Sequence, residues 1–177
     1  GHGVPFSYPM SPDTAPGLTD AGFALVKECN RLGILIDLAH ITEKGFWDVA
    51  KTTNQPLIAS HSNAHALTPV ARNLTDRQMD AIKESGGLVG LNYAVTMLRA
   101  DARDIADTPL SDMVRHIDYM VERMGIDCVA LGSDFDGATV PVGIADASGN
   151  HNLVAALKSA GYGDGELAKI CRENWLR

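Results

Sequence analysis

Two histidines, His40 and His61, each stand at the end of a short apolar segment. The segments are Gly33-Ile-Leu-Ile-Asp-Leu-Ala-His40 and Pro56-Leu-Ile-Ala-Ser-His61. Each is too short for a core helix and rich in Ile and Leu, so each predicts a buried strand. A helix predicted over residues 42–53 joins them, so the strands would run parallel and carry both histidines to one edge of a sheet. Neutral imidazoles brought together there are suited to binding a zinc-type ion.

Asp134 occupies a similar place, after the apolar segment at residues 128–131. It lies in Gly132-Ser-Asp-Phe-Asp-Gly137. A carboxylate at a strand end can accept a proton from a metal-bound water and deliver it to a leaving amine. The alternative is an aspartate that caps a turn, and Asp136 fits that alternative better.

Arg72 lies in the polar loop after His61. Its planar guanidinium can hold a carboxylate through two parallel hydrogen bonds, which would fix the terminus of a peptide or an amino acid beside the metal. A solvated loop arginine is the alternative, and the sequence leaves both open. Of the other polar residues, His65 is predicted to support the cleft, His116 is predicted to lie on a helix surface, and Asp37 receives no role.

The rest of the chain alternates predicted helices with predicted strands. Thr19 and Gly33 are residue types that begin and end a helix, and the spacing of apolar residues marks the other helices. Helices are predicted over residues 19–32, 42–53, 75–85, 111–124, 152–160 and 164–175, and buried strands over 34–38, 57–59, 88–91 and 128–131. Residues 1–17 are predicted to form a loop, and residues 92–109 an excursion over the cleft. Strands alternating with helices indicate an α/β class with parallel pairing.

Composition and charge indicate which classes of binding partner are compatible with this sequence. The 177 residues are 45% hydrophobic and 21% charged, with a formal net charge of −7, which is typical of one globular unit. The acidic balance argues against nucleic acid or an anionic membrane as the main partner, because phosphate binding needs clustered Lys and Arg. Cys29, Cys128 and Cys171 are widely separated, so they predict buried free thiols in a reducing, cytoplasmic compartment. No apolar run reaches the ~18 residues that a membrane span needs.

These motifs, in this order and spacing, resemble the membrane (renal) dipeptidase family of zinc peptidases. The resemblance extends over residues 18–177 and includes the closing segment Glu173-Asn-Trp-Leu-Arg177. The other matching motifs are Asn30-Arg-Leu-Gly-Ile-Leu-Ile-Asp-Leu-Ala-His40, Ser60-His61-Ser-Asn-Ala64, Ala71-Arg72-Asn73 and Gly132-Ser-Asp134-Phe-Asp-Gly137.

The family's fold is a (β/α)8 barrel with its site at the C-terminal face. The resemblance implies that residues 1–177 are a single partial domain, the C-terminal half of such a TIM-type barrel, with about four parallel strands and flanking helices. Residues 1–17 would be a loop, and residues 18–177 would be the barrel units.

The resemblance also implies roles for the four residues introduced first. His40 and His61 would bind one zinc ion of a pair, Arg72 would hold the substrate's carboxylate, and Asp134 would be the acid and base. The implied reaction is hydrolysis of a dipeptide to two free amino acids through a metal-bound water. The stereochemistry of the dipeptide stays open.

Two features of the family cannot be placed in this sequence, the His-x-Asp motif of the first strand and a bridging glutamate of a middle strand. His2 is followed by Gly and Val, and it is a candidate instead for the family's substrate-contacting histidine. A four-strand piece would leave open sheet edges, so we expect it to associate with an N-terminal half or with another copy of the chain. Residues 1–177 by themselves are predicted to lack two-metal catalysis.

Two other hypotheses remain open. The first is another metal-dependent amidohydrolase, such as a deaminase or a cyclic-amide hydrolase, because histidines on the fifth and sixth strands and an aspartate on the eighth recur in that wider group. The second is a truncated, non-catalytic homologue that binds a partner through its open edge. Loss of Arg72 would distinguish the first alternative from a dipeptidase. It should raise KM sharply for a dipeptide and much less for a substrate without a free carboxylate.

Overall fold

The computed structural model describes residues 6–7 and 16–177, and there helices surround a small parallel sheet. The strands are β1 Ile58–Ala59, β2 Leu88–Asn92 and β3 Val129–Ser133. The helices are α1 Asp20–Leu32, α2 Glu43–Thr52, α3 Asp76–Glu84, α4 Val95–Leu98, α5 Leu110–Met124, α6 Asn150–Ser159 and α7 Asp164–Cys171, with 3-10 turns at Ile126–Cys128, Ala147–Gly149 and Glu173–Trp175. The predicted α/β class with parallel strands is confirmed.

The sheet places the ends of its strands at one edge. Its order is β1-β2-β3, and both pairs are parallel. All of β2 is buried, as expected for the central strand of a sheet covered on both faces. Its pairing with β3 shifts register between Leu91 and Asn92. The irregularity therefore falls where β2 ends, beside the candidate site.

The strand predicted over residues 34–38 is wrong as a regular strand. In the described part of the chain only Asp37 of this segment makes a bridge, to Ile58 of β1. Ile34 and Leu35 are 50% and 55% exposed. A strand forms only against neighbours that satisfy its backbone and cover its side chains. The described sheet accordingly has three strands where four were predicted.

Local capping explains why the first helices begin and end as predicted. Thr19 Oγ1 accepts the Gly22 N–H at 3.0 Å, and α1 ends at Gly33, whose φ is 69°. That left-handed conformation favours glycine. Thr42 Oγ1 accepts the Gly45 N–H at 3.1 Å. These caps satisfy backbone groups that the first turn of a helix leaves without partners.

The core lies between the sheet and the helices. Its largest fully buried side chains are Tyr93, Phe46, Leu38, Leu74, Met79, Ile82, Leu91, Leu98, Met113, Ile117, Met120 and Ile144. The prediction of buried cysteines holds for Cys128 alone, because Cys29 is partly exposed and Cys171 is exposed. None of the described helices has both the length and the apolar composition of a membrane-crossing helix.

Candidate active site

His40 and His61 meet as the spacing predicted. Their Nε2 atoms lie 2.8 Å apart, and their ring centroids are 4.9 Å apart. His61 follows β1, and His40 follows the segment that bridges to β1 at Asp37. Parallel pairing of the two backbones therefore brings the two imidazoles to one point.

Arg72 lies against this pair. Its Nη2 donates to His40 Nε2 at 3.1 Å, and the residue is only 4% exposed. The solvated-loop alternative for Arg72 is therefore wrong. Burial lowers the pKa of its guanidinium, while the charges of Asp134 and Asp37 act in the opposite direction. Its Nη1 is buried and has no hydrogen-bond partner among the described residues, so the guanidinium retains one unsatisfied donor.

Asp134 lies on the same cleft in a strained conformation. Its φ is 95°, a value that non-glycine residues rarely adopt and that costs of the order of 1–3 kcal/mol. Its Oδ2 accepts a hydrogen bond from Asn92 Nδ2 at 3.1 Å, and its carbonyl accepts the Gly137 N–H at 3.1 Å. A Cβ atom at Gly137 would collide with Asp134 Oδ1. Glycine at position 137 therefore leaves room for the carboxylate.

The cleft has space for a small ligand. His40, Arg72 and Asp134 line a depression of about 600 Å³, which is within the size range of small-molecule sites. The other lining residues are Ala94, Thr96, Met97, Asp104, Gly137, Ala138 and Thr139. The segment 92–109 thus forms one wall, in agreement with its prediction as an excursion over the cleft.

Asn92, at the end of β2, is a site residue that the sequence analysis missed. Its Nδ2 also approaches the His61 carbonyl at 3.4 Å, and its Oδ1 accepts the Ala94 N–H at 2.6 Å. The Asn63 side chain pairs with the Asn92 backbone at both its N–H and its C=O, each at 3.0 Å. The signal for Asn92 was present in the sequence, since it ends a buried strand as His61 does.

Asp37 and Ser60 form a hydrogen-bonded chain behind His61. Ser60 Oγ lies 2.7 Å from His61 Nδ1 and donates to Asp37 Oδ2 at 2.5 Å. Asp37 Oδ1 accepts the backbone N–H groups of Ser60 at 2.9 Å and Ala39 at 3.1 Å. Asp37 was assigned no role from the sequence, because nothing local to residues 34–38 indicates a contact with residue 60.

His116 is fully buried, so its predicted place on a helix surface is wrong. Its Nδ1 accepts the Ala64 N–H at 3.2 Å, and its Nε2 lies 3.1 Å from the Leu98 carbonyl. Burial lowers its pKa to about 4. The neutral ring therefore joins the loop that follows β1 to helix α4.

The other two histidines in the described part of the chain, His65 and His151, have hydrogen bonds outside the cleft. His65, predicted to support it, donates its backbone N–H to the Leu74 carbonyl at 2.9 Å, inside the loop that carries Arg72. His151 is exposed, with Nδ1 at 2.7 Å from the Ser148 carbonyl. His2 lies outside the described residues.

The electrostatics of the pair favour metal binding. Burial lowers the pKa of His40, and the nearby charges of Arg72 and His61 lower it further. The neutral imidazole that results is the form that binds a metal. The two Nε2 atoms lie 2.8 Å apart, so the pair needs to open only to about 3.3 Å to become two ligands of one tetrahedral zinc ion. In residues 6–7 and 16–177 no group of three or more His, Cys, Asp or Glu side chains is arranged for a metal, so the pair is a partial ligand set.

Comparison with known proteins gives a consistent picture. A model of the family described as "Membrane dipeptidase (Peptidase family M19)" matches residues 7–177. An uncharacterized protein encoded in the pqqA 5' region of Klebsiella pneumoniae is 53% identical over the whole chain, which covers 65% of that relative. Dipeptidase tcpJ of Claviceps purpurea is 34% identical over 91% of the chain, which covers 37% of that relative.

A solved structure extends the likeness to the fold. It is a metallo peptidase from Rhodobacter sphaeroides liganded with a phosphinate mimic of the dipeptide L-Ala-D-Ala, 55% identical to this chain with a TM-score of 0.91. The match covers 99% of this chain and 50% of that one. The chain thus spans between about one third and two thirds of the length of these relatives. With the family model matching residues 7–177, the chain belongs to the membrane dipeptidase family, peptidase family M19.

Proposed function

We propose that the protein at its full encoded length hydrolyses dipeptides to free amino acids with zinc as cofactor. The observation that carries the proposal is the convergence of the Nε2 atoms of His40 and His61 at 2.8 Å. Arg72 donates to the single lone pair of His40 Nε2 in this structure, so that hydrogen bond would give way when the ring binds zinc. The Claviceps relative is called a dipeptidase, and the Rhodobacter structure holds a dipeptide mimic. Both names support a dipeptide as the substrate.

We further propose that this chain is the C-terminal half of a (β/α)8 barrel. Three parallel strands alternating with helices support this interpretation. So do the exposed Ile34 and Leu35, which precede the bridge between Asp37 and β1, because an N-terminal half would cover them. The other ligands of a zinc pair would come from that half. Association with a separate half or a second copy, and a cytoplasmic location, stay predictions.

The four site residues divide the work of hydrolysis. His40 and His61 would hold one zinc ion, which when bound supplies the Lewis acidity that activates water. Arg72 would bind the substrate's carboxylate through its unpaired Nη1. Asn92 holds Asp134 at Oδ2, so Oδ1 is the atom that would take a proton from the attacking water and deliver it to the leaving amine.

The proposal is tested by hydrolysis of L-Ala-L-Ala and L-Ala-D-Ala with the full-length protein. We expect free alanine to form, activity to disappear when a chelator removes zinc, and activity to return with added zinc. His61→Ala is expected to abolish turnover, whereas the matched control His151→Ala, at an exposed site outside the cleft, should retain it. Unchanged hydrolysis after complete zinc removal would contradict the proposal.

A further inference from the structure

The hydroxyl of Ser60 stands between an imidazole and a carboxylate. It lies 2.7 Å from His61 Nδ1 and 2.5 Å from Asp37 Oδ2. Asp37 has both of its carboxylate oxygens engaged, since Oδ1 accepts the N–H groups of Ser60 and Ala39. Every group that meets Asp37 in these contacts is a donor, which matches an ionised carboxylate that can only accept.

The number of protons available to Asp37, Ser60 and His61 determines the direction of each hydrogen bond between them. A serine hydroxyl has a single proton. Because an ionised carboxylate can only accept, Ser60 must donate that proton to Asp37 Oδ2. The oxygen of Ser60 must then accept from His61, so the proton of the neutral ring lies on Nδ1. The lone pair of His61 is consequently on Nε2, the atom that faces His40 Nε2 at 2.8 Å. His40 Nε2 also carries a lone pair, because it accepts from Arg72. The contact therefore joins two acceptors, which a bound cation would satisfy.

We propose that Asp37 and Ser60 are positioning residues that hold His61 in its Nδ1–H tautomer and so keep Nε2 free to bind a metal. The inference rests on the proposed function, because the tautomer matters only if Nε2 is a ligand. Outer hydrogen bonds of this kind fix both the protonation and the orientation of a metal-binding imidazole. Neither residue needs to touch the substrate.

The backbone explains how Asp37 reaches residue 60. Within the segment 34–38, Asp37 is the residue that bridges to β1, at Ile58. The next residue, Leu38, donates its N–H to the Ile58 carbonyl at 2.8 Å. This local pairing fixes the distance between Asp37 and the end of β1. An otherwise irregular segment is thus held at the position that orients His61.

Two substitutions separate tautomer control from simple packing. Asp37→Asn keeps an oxygen for the two backbone N–H groups but presents an amide donor to Ser60. The hydroxyl proton must then turn toward His61 Nδ1, which moves the ring proton to Nε2. Ser60→Ala removes the link altogether, whereas Ser60→Thr retains the hydroxyl. Asp164→Asn, at a highly exposed aspartate on α7, is the matched control.

The first measurement is the ¹⁵N NMR spectrum of the His61 ring in the metal-free, full-length protein at a pH where the ring is neutral. We expect Nδ1–H in the wild type, in Ser60→Thr and in Asp164→Asn, and Nε2–H in Asp37→Asn. The second measurement is Zn²⁺ affinity by competition with a chelator. Asp37→Asn and Ser60→Ala should weaken binding by about 10- to 100-fold, the usual effect of losing such an outer contact.

Two results would overturn the proposal: an Nε2–H ring in the wild type, or wild-type Zn²⁺ affinity in both Asp37→Asn and Ser60→Ala. Circular dichroism checks that each variant is folded. If Asp37→Asn does not fold, the zinc affinity of Ser60→Ala decides the matter. A wild-type protein with the expected tautomer and zinc affinity but no dipeptide hydrolysis would refute the proposed function and leave the tautomer control intact.

Discussion

At the scale of single residues, the guanidinium of Arg72 combines burial with an unused donor. It is 4% exposed, and its Nη1 has no partner in the described part of the chain. A buried donor of this kind is costly unless it binds an anion. The carboxylate of a dipeptide would remove that cost, so Arg72 should contribute to substrate affinity.

We predict that Arg72→Ala raises KM for a dipeptide by about 10- to 100-fold, the effect of losing a hydrogen bond to a charged group. KM for the corresponding dipeptide amide should change much less, because the amide has no carboxylate to lose. Arg31→Ala, which removes an arginine exposed on α1, is the control. An equal rise in KM for both substrates would contradict the assignment of Arg72 to the substrate's carboxylate.

Gly137 gives a test of Asp134 that leaves the aspartate itself unchanged. Because a Cβ at position 137 would collide with Asp134 Oδ1, Gly137→Ala should displace the carboxylate. We predict a fall in kcat of about 10- to 100-fold, part of what a well-placed acid–base group supplies, with little change in Tm. Gly165→Ala is the matched control, since a Cβ there meets nothing within 4 Å. A normal kcat in Gly137→Ala would argue against proton transfer by Asp134.

The sequence could predict a site residue when a local pattern marks it. His40, His61 and Asp134 each follow an apolar segment, and this pattern correctly indicated that they share one edge of the sheet. Asp37 and Ser60 carry no such mark, because their hydrogen bond depends on the pairing of two separate segments. The prediction that His116 lies on a helix surface was wrong for a similar reason. Which face of α5 is buried depends on the elements that cover it.

At the scale of elements, His116 joins three of them. From α5 it contacts the backbone of Ala64, in the loop after β1, and of Leu98, in α4. Its neutral ring is required for the first contact, because a protonated ring has no acceptor at Nδ1. Burial and the neighbouring charge of Arg115 both disfavour the protonated form.

This buried histidine predicts a loss of stability in acid. The pKa of His116 is about 4 in the folded protein, against an ordinary value of 6.5, so the unfolded chain binds more protons as the pH falls below 6.5. Between pH 7 and pH 5 the free energy of unfolding should fall by about 2 kcal/mol on account of this residue. Denaturant unfolding at both pH values, with His116→Gln, measures the effect.

The His116→Gln variant should lose about 2 kcal/mol less than the wild type over that interval, because glutamine does not titrate. The control is His151→Gln, at an exposed histidine, which should behave as the wild type does. An identical pH dependence in all three proteins would show that His116 is not held neutral by burial.

Most helices were predictable because their signals are local. Thr19 and Gly33 mark the two ends of α1 within its own sequence, and the apolar spacing marks α5. The segment 34–38 was not predictable in this way. Its composition favours a strand, but only Asp37 makes a bridge to β1, since a strand depends on what lies beside it.

At the scale of the whole molecule, we propose that the described residues supply only part of a metal site. Two histidines converge, but no third metal-binding side chain of the described ranges joins them. We therefore predict that a protein of these 177 residues alone hydrolyses no dipeptide, whereas the full-length protein does. Release of free amino acids from L-Ala-D-Ala by each protein is the measurement. Turnover by the short protein would contradict the half-barrel account.

The zinc content of the purified full-length protein tests most directly the claim that this half supplies the ligands of one zinc ion. Two-metal hydrolases hold a pair of ions, so we predict about two zinc ions per wild-type chain and about one after His40→Ala and His61→Ala are combined. His151→Ala should leave the content unchanged. The same zinc content in the wild type and in the combined variant would contradict the assignment of His40 and His61 as ligands.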